Sequence, residues 1–310
     1  FSQSFTVNGS SVDRIGCICS LELSELGETV LPHEQTIDKH LDDRYSLMES
    51  TSANSGQIFM CYKDEQMVLE GLYNNIKNEP SISVTLDEVR YNIWPITEQD
   101  NIQKFVSMLD KKTLVIADGH HRYKTALKYA KNYKSQDSQK VMVTLVNSKN
   151  PGMQIMPTHR LLTNMDKSIE NIKKDIGHHF SYKEFVGADK LLRAMKTMGN
   201  QKCILGLYQK KSNTGLLLEF KSWDIVDKIM SEQSKSLREL DTNILHRFLL
   251  KDVFNIDTNK QDDLKHLSYL RGNKSVIDML DKEKNYDIAC FVNPPSLDDV
   301  FSIAEAGEVM

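Results

Sequence analysis

The segment TLVIADGHHRYKTAL (113–127) constrains the fold of this chain more than any other segment. Its first five residues are apolar or β-branched, which is typical of a buried strand. Gly119 follows, and glycine tolerates the left-handed backbone that a tight turn needs. After the turn, Ala126, Leu127 and Ala130 recur at helical spacing. The sequence therefore predicts a strand that turns directly into a helix, a unit that belongs to α/β and mixed α+β proteins.

Apolar strand-like runs and helical stripes alternate along the rest of the chain of 310 residues. The run 81–94 alternates well enough for a β-hairpin, and a charged stretch at 163–174 interrupts the pattern. Since this length exceeds that of most single domains, we expect two, 1–165 and 166–310. The predicted fold class is α/β in the wider sense of mixed α+β, with a C-terminal α/β subdomain.

Composition argues against several classes of protein. Lys plus Arg total 39 and Asp plus Glu total 43, a formal net charge of -4, which is unlike a large nucleic-acid interface. No apolar run reaches the length of a transmembrane helix, so no membrane partner is expected. The five cysteines are scattered through apolar runs, which predicts reduced thiols and a cytoplasmic location. Because the chain begins at Phe1 with a polar segment, we expect its native beginning to be missing.

The polar residues between the predicted strand and helix suit an anion. The first N–H groups of a helix lack intrahelical acceptors and form the positive end of the helix dipole. Gly119 permits close approach of a phosphate, and Arg122 can bind phosphate oxygens through two N–H groups. His120 and His121 can donate or transfer protons, and Asp118 can bind Mg²⁺ or accept a proton. The alternative is a glycine turn whose polar residues only cap and solvate the helix.

Three further segments contain histidine beside a charged residue. In LPHEQT, Glu34 precedes a helical stripe, so it is either a general base or a carboxylate that favours the helix dipole. In MPTHRLL, His159 and Arg160 follow a Pro turn and are either a second anion contact or a surface ion pair. In NILHRFLL, His246 and Arg247 are predicted to lie on the solvated face of an amphipathic helix.

These segments also resemble a known family. IADGHHRYKTALKYA, LVNSKNPGMQIMPTHRLL and VLPHEQTIDKHLDDRYSLMESTSANSGQIFMCYKD are similar to blocks of the uncharacterised prokaryotic family called domain of unknown function 1015, DUF1015. LDTNILHRFLL and DIACFVNPPSLDDVFSIAEAGEVM resemble its C-terminal blocks. The resemblance is ordered and spans nearly the whole chain. Members of the family usually carry a further N-terminal subdomain and a C-terminal tail, and from the resemblance we expect both to be missing from this sequence.

The strand–DGHHR–helix unit is similar to the nucleotide-binding signature of the ParB/sulfiredoxin superfamily. This resemblance implies a ParB/sulfiredoxin-like core with insertions, the hairpin near 81–94 being the insertion between the two motifs. Sulfiredoxins carry a reactive Cys where this chain has His120, so reduction of sulfinic acids is not expected. Within the superfamily the unit is most similar to free-serine kinases, in which a glutamate before a helix is the base that acts on serine.

The likeness to free-serine kinases assigns a role to each candidate residue. It implies Glu34, Asp118 and His120 as catalytic residues, with Asp118 also a ligand of Mg²⁺. The likeness also implies that Gly119, His121 and Arg122 bind the phosphates of the nucleotide. His159 and Arg160 are predicted, from the MPTHRLL segment itself, to be a second contact with these phosphates.

The resulting hypothesis is a Mg²⁺-dependent phosphotransferase that uses ATP or ADP. Its substrate is a small hydroxylated metabolite, with free serine as one candidate. The alternative is a nucleotide-responsive regulatory module without catalysis, similar to the ParB clamp, and a third is a scaffold whose turn binds only a free anion. The sequence leaves the oligomeric state open.

Overall fold

The computed structural model describes residues 1–7, 9–34, 39–198, 203–271, 276–283 and 285–310. The chain forms two structural units, of which the first comprises Phe1–Gln154 and Val300–Met310 and the second Ile155–Asp299. The predicted mixed α+β class is confirmed by the helices and sheets that both units contain. The domain boundary expected between residues 165 and 166 separates domains that fold independently. The division into two units does not test independent folding, so this boundary stays a prediction.

Within its described residues the first unit contains nine strands, four complete helices and the greater part of the last helix of the chain. The strands are β1 (Ser2–Val7), β2 (Ser10–Ile15), β3 (Cys17–Glu22), β4 (Val30–Leu31), β5 (Ile58–Tyr62), β6 (Ile82–Leu86), β7 (Val89–Ile93), β8 (Leu114–Asp118) and β9 (Lys140–Asn147). The helices are α1 (Lys39–Thr51), α2 (Val68–Asn74), α3 (Gln99–Leu109) and α4 (His120–Tyr133). The predicted beginning of the helix after Glu34 lies outside the described residues.

A five-stranded sheet of order β3-β9-β5-β8-β4 forms the centre of the first unit. Its inner strands are nearly continuous apolar runs because both faces of the sheet are covered, and Ile58, Met60, Ile116 and Val143 are fully buried. Helix α4 packs on this sheet through Tyr123, whose hydroxyl donates to the carbonyl oxygen of Ser24 at 2.8 Å. This packing fixes the position of α4, which begins directly after Gly119.

A four-stranded antiparallel sheet of order β2-β1-β7-β6 lies beside the first in the same unit. The predicted hairpin at 81–94 is confirmed as β6 and β7. The hairpin of β1 and β2 was not predicted, although its first strand alternates with a period of two. Serine and threonine hydroxyls occupy one face of β1, and Phe1, Gln3 and Phe5 lie on the other.

The second unit is built on the six-stranded antiparallel sheet β11-β13-β12-β15-β10-β14. Its strands are β10 (His159–Leu162), β11 (Phe180–Val186), β12 (Ile204–Gln209), β13 (Thr214–Phe220), β14 (Leu267–Leu270) and β15 (Ile288–Phe291). Its helices are α5 (Ile169–Ile176), α6 (Ala188–Met198), α7 (Trp223–Ile229), α8 (Lys235–Arg238), α9 (Asp241–Ile244), α10 (Asp252–Phe254) and α11 (Val276–Lys282). A last helix, α12 (Leu297–Glu305), leads into the residues from 300 onward that belong to the first unit.

A π-helix, Leu245–Lys251, joins α9 to α10, where the sequence predicts an ordinary amphipathic helix. Leu245, Phe248, Leu249 and Leu250 are buried in the core of the second unit. π-Helical turns are rare and often occur at functional sites. In the described ranges no helix is both long enough and apolar enough to span a bilayer, and no disulfide joins any of the five cysteines.

Candidate functional site

The predicted strand–turn–helix unit is confirmed at the end of β8. Asp118 is the last residue of the strand, Gly119 has φ 98° and ψ 25°, and α4 begins at His120. No side chain caps the helix, and its first intrahelical bond runs from the Tyr123 N–H to the Gly119 carbonyl oxygen at 2.9 Å. The N–H groups that precede Tyr123 in α4 therefore have no acceptor within the helix, and a helix start of this kind suits an anion.

Arg122 lies over this turn. Its guanidinium forms an ion pair with Asp118, one helical turn earlier in the chain. A Cβ atom at Gly119 would lie 3.0 Å from Arg122 Nε, and one at Gly56 would lie 2.9 Å from Nη1. The two glycines thus leave the space that the guanidinium occupies, and Gly119 is also needed for its positive φ. Together, Arg122 and the uncapped helix suit the binding of a phosphate group.

Glu34 reaches the same edge of the sheet through the pairing of two parallel strands. β4 pairs with β8 in the register Val30–Leu114 and Leu31–Val115. Parallel strands end at the same edge, so the residues after β4 emerge beside those after β8. As a result, Glu34 Oε2 lies 3.7 Å from His120 Nδ1, although 84 positions separate Glu34 from Asp118. The Glu34 side chain is 67% exposed and open to a substrate.

His33 ties the segment before Glu34 to the turn. Its ring Nδ1 lies 2.6 Å from the Ile116 carbonyl oxygen and donates to it, and its backbone N–H donates to His120 Nε2 at 3.3 Å. Its own carbonyl oxygen accepts from the N–H of Met310 at 3.0 Å. The two imidazole rings are also in edge contact, with centroids 4.7 Å apart. These contacts hold the residue before Glu34 against the turn, and none of them uses the Glu34 carboxylate.

His120 is neutral in this arrangement. Burial, reinforced by the neighbouring His33, lowers the pKa of His120 to about 4 from its ordinary value of 6.5. Since Nε2 accepts a hydrogen bond from the backbone of His33, the single ring proton of the neutral form lies on Nδ1. That N–H lies on the side of the ring nearest Glu34, and a neutral His120 does not compete with the carboxylate for a proton.

The pKa of His120 predicts how stability depends on pH. Because the folded protein binds this proton only near pH 4 and the unfolded chain near 6.5, the free energy of unfolding should fall as the pH is lowered through that interval. The contribution is a few kcal/mol at most, since one pKa unit corresponds to about 1.4 kcal/mol. Histidine ring signals in an NMR titration should show His120 neutral at pH 5.5, and His120→Gln should flatten the pH dependence of unfolding. Protonation of His120 near pH 6.5 would contradict this assignment.

A cavity of about 470 Å³ lies beside the turn, within the first unit. The size is that of a small-molecule site. The pairing of β5 with β8 shifts at Phe59–Met60, opposite Asp118, and such bulges are common next to active sites. The residues that line the cavity are Phe1, Ser2, Gln3, Arg14, Ile18, Gln57, Phe59, Tyr91, Asn92, Ile93, Asp118, Arg122 and Thr144.

Arg14 gives this cavity a positive charge that the sequence analysis missed. Its Nε donates to the Gly152 carbonyl oxygen and its Nη1 to Gln3 Oε1, both at 3.1 Å, and its guanidinium lies over the Phe5 ring. All these partners are neutral, and among the described residues no carboxylate forms an ion pair with Arg14. Because Asp118 is already paired with Arg122, the cavity favours an anionic ligand.

Asp118 fits the predicted role of a Mg²⁺ ligand. Its carboxylate is 73% exposed, and only one of its oxygens pairs with Arg122. Mg²⁺ is commonly held by one or two carboxylates together with substrate phosphates. No group of three or more potential metal ligands was found in the part of the chain that the structure describes. A single carboxylate, Asp118, beside the start of α4 is therefore the metal-binding arrangement to test.

His159 and Arg160 belong to the second unit, where both are buried on β10. Their predicted contact with the same nucleotide stays a prediction, as do the roles assigned to the residues of the DGHHR turn. His121 lies in the first turn of α4 and is half-buried. The structure therefore brings together Glu34, the DGHHR residues and Arg14 in one unit.

A model of the family described as protein of unknown function (DUF1015) matches residues 1–243. The chain belongs to this family. The membership predicted from the motifs is therefore confirmed, and no curated protein sequence matches this DUF1015 chain.

Several solved structures are similar to this DUF1015 chain. A mutant free serine kinase in complex with ADP has 9% sequence identity and a TM-score of 0.42, over 95% of this chain and 84% of that one. A conserved hypothetical protein from Pyrococcus furiosus has 12% identity and a TM-score of 0.39, over 94% and 87%. SbnI from Staphylococcus aureus, with a C-terminal truncation, has 9% identity and a TM-score of 0.40, over 94% and 79%.

Proposed function

We propose that this DUF1015 protein binds a nucleotide at the start of α4 and transfers its terminal phosphoryl group to the hydroxyl of a small metabolite. One observation carries the proposal: an uncapped helix start with Arg122 lies at the same sheet edge as the Glu34–His120 pair. Phosphoryl transfer requires mainly that the reactants are positioned and the phosphate charge is stabilised. An anion site next to an exposed carboxylate supplies both requirements.

The phosphates would be bound by the first N–H groups of α4 and by Arg122. Asp118 would hold Mg²⁺, which when bound neutralises part of the phosphate charge. The nucleotide would extend into the cavity, where Arg14 adds positive charge that favours the phosphates and where Tyr91 and Phe59 offer aromatic surface to the base. ATP and ADP are the two donors that we propose, and the reduced cysteines favour a cytoplasmic reaction.

Glu34 would act as the general base. Its carboxylate takes the proton of the substrate hydroxyl while that oxygen attacks the terminal phosphorus, and the bond from phosphorus to the nucleotide oxygen breaks. The products are a phosphate ester and the shortened nucleotide. His120 would be a positioning residue, because its Nδ1–H faces Glu34 Oε2 at 3.7 Å. Free serine is the candidate acceptor suggested by the resemblance of the DGHHR unit to free-serine kinases.

The proposal is tested by incubating the protein with ATP or ADP, Mg²⁺ and a panel of hydroxylated metabolites that includes serine. Phosphorus NMR should show a new phosphate monoester that depends on protein, nucleotide and acceptor. If the nucleotide binds but no acceptor is phosphorylated, the protein is not a phosphotransferase for these metabolites.

The exposed edge of the four-stranded sheet favours the second candidate, a nucleotide-responsive binding module. Ile82, Val84 and Leu86 of the edge strand β6 are 54%, 51% and 61% exposed on a single face. Such an apolar face suits the binding of a partner protein. A binding module of this kind requires the nucleotide site but does not require Glu34. Substitution of Glu34 would therefore abolish the function of a phosphotransferase and leave that of a binding module unchanged. A DNA-binding form would also lose affinity steeply with added salt.

A further inference from the structure

Arg160 is a buried cation with no carboxylate partner in the second unit. Its Nη1 donates to the Thr158 carbonyl oxygen, and its Nη2 lies 3.0 Å from His246 Nε2. Its Nε is buried and forms no hydrogen bond. Among the described residues no Asp or Glu forms an ion pair with it. Buried charges are normally paired, so an unpaired guanidinium of this kind requires an explanation.

Residues of other segments lie beside Arg160 and its chain neighbour His159. In the antiparallel pair of β10 and β15, Arg160 is opposite Cys290. His159 Nδ1 accepts a hydrogen bond from the Val292 N–H at 3.3 Å, and the next residue, Asn293, donates to Asp241 Oδ2 at 3.3 Å. These contacts join the motif MPTHRLL to the two C-terminal blocks. The phosphotransferase hypothesis assigns no role to those blocks.

His246 belongs to this cluster, contrary to the prediction from the sequence. It was predicted to lie on a solvated helix face, but it is half-buried and in contact with Arg160. The π-helix Leu245–Lys251 carries it. Since His246 Nε2 accepts from Arg160, the proton of its neutral ring lies on Nδ1, where it can be donated to a ligand. Burial and the charge of Arg160 lower the pKa of His246 to about 4, so the ring is neutral at physiological pH.

A second arginine stands near the exposed side of the cluster. The Tyr269 ring lies 5.2 Å from the Arg160 guanidinium and 5.3 Å from that of Arg271. Tyr269 and Arg271 are exposed, whereas Arg160 is 7% exposed. Burial lowers the pKa of Arg160, and the like charge of Arg271 lowers it further. An anion bound beside Arg160 would offset this repulsion and provide the counterion that Arg160 lacks.

We propose that the second unit contains an anion-binding site of its own, formed by Arg160, His246 and Arg271, which binds a phosphate or carboxylate group. Two guanidinium groups and an imidazole N–H donor suit either anion. The only carboxylate hydrogen-bonded into the described part of the cluster, Asp241, contacts Asn293 and not Arg160. The site does not depend on the proposed function, because none of these residues belongs to the first unit.

The test follows the histidine ring signals of the whole chain by NMR during titration with inorganic phosphate. Succinate as a dicarboxylate and chloride at the same ionic strength are titrated separately. The signal of His246, assigned with His246→Asn, should shift saturably with phosphate or succinate and not with chloride. The stronger of the two ligands identifies the anion. Signals of His33 and His120 report any binding at α4 separately, so a failure of the proposed function is distinguishable from a failure here.

Three substitutions decide whether the arginines bind the anion. Arg160→Gln should weaken the binding seen at His246 by about tenfold or more, and Arg271→Gln should weaken it by about threefold or more. Arg247→Gln, which removes the same charge one residue after His246, should leave the affinity unchanged. If Arg160→Gln does not fold, the affinity of Arg271→Gln, a variant of an exposed residue, tests the proposal by itself. The proposal is wrong if phosphate and succinate leave the His246 signal unmoved, or if both variants bind as tightly as the wild type.

Discussion

Replacement of Arg122 by alanine is expected to weaken nucleotide binding by about 10- to 100-fold, since a hydrogen-bonded ion contact contributes roughly 1.5–3 kcal/mol. Arg122 lies over Gly119 and Gly56 at the start of α4, where the phosphates are proposed to bind. The measurement is thermal unfolding of the wild type and the variant with ATP or ADP, each with and without Mg²⁺. A ligand at 100 times its dissociation constant stabilises the folded state by about 2.7 kcal/mol, which is readily detected.

Arg90 provides the matched control for this experiment. It is an exposed arginine on β7, beside Tyr91, and it does not line the cavity. Arg90→Ala removes the same charge from the same unit and should leave the stabilisation by nucleotide unchanged. If Arg122→Ala is stabilised as strongly as the wild type, then Arg122 does not bind the phosphates. If no nucleotide stabilises the wild type, the proposed nucleotide site is wrong.

The turn at Gly119 could be predicted from the sequence because its determinants are local. An apolar strand, a glycine and a helical stripe follow one another within TLVIADGHHRYKTAL, and each can be identified from its neighbours. The hairpin at 81–94 is predictable for the same reason. The family could also be predicted, since it depends on ordered motifs and not on contacts in space.

The contact of Glu34 with His120 could not be derived in this way. It depends on β4, a strand of two residues, which pairs in parallel with β8 more than 80 positions later. Such a pairing leaves no periodic signal. Arg14 is not among the predicted site residues because the first segment of the chain is polar and shows no clear hairpin pattern. Once β1 and β2 are identified as a hairpin, an arginine on the face toward the cavity indicates a charged cavity wall. His246 was misinterpreted because an i, i+4 pattern cannot reveal a π-helix.

Replacement of Glu34 by glutamine is expected to reduce phosphoryl transfer by about 10²- to 10⁴-fold, the usual contribution of a general base. The amide has the same shape and keeps an oxygen to face His120 Nδ1, but it cannot take the proton of the acceptor hydroxyl. Nucleotide binding should change little, because Glu34 is not among the residues proposed to hold the phosphates. The measurement is the single-turnover rate of ester formation, compared with the nucleotide dissociation constant of the same variant.

Glu28→Gln is the control, because Glu28 is an exposed carboxylate six residues earlier in the same unit and does not line the cavity. It should leave both the rate and the affinity at wild-type values. Full activity in Glu34→Gln would contradict the role of Glu34 as base and transfer that role to Asp118, the other carboxylate at this sheet edge. Because Asp118 is paired with Arg122 and Glu34 faces only a neutral imidazole, the structure favours Glu34 as the group that is free to accept a proton.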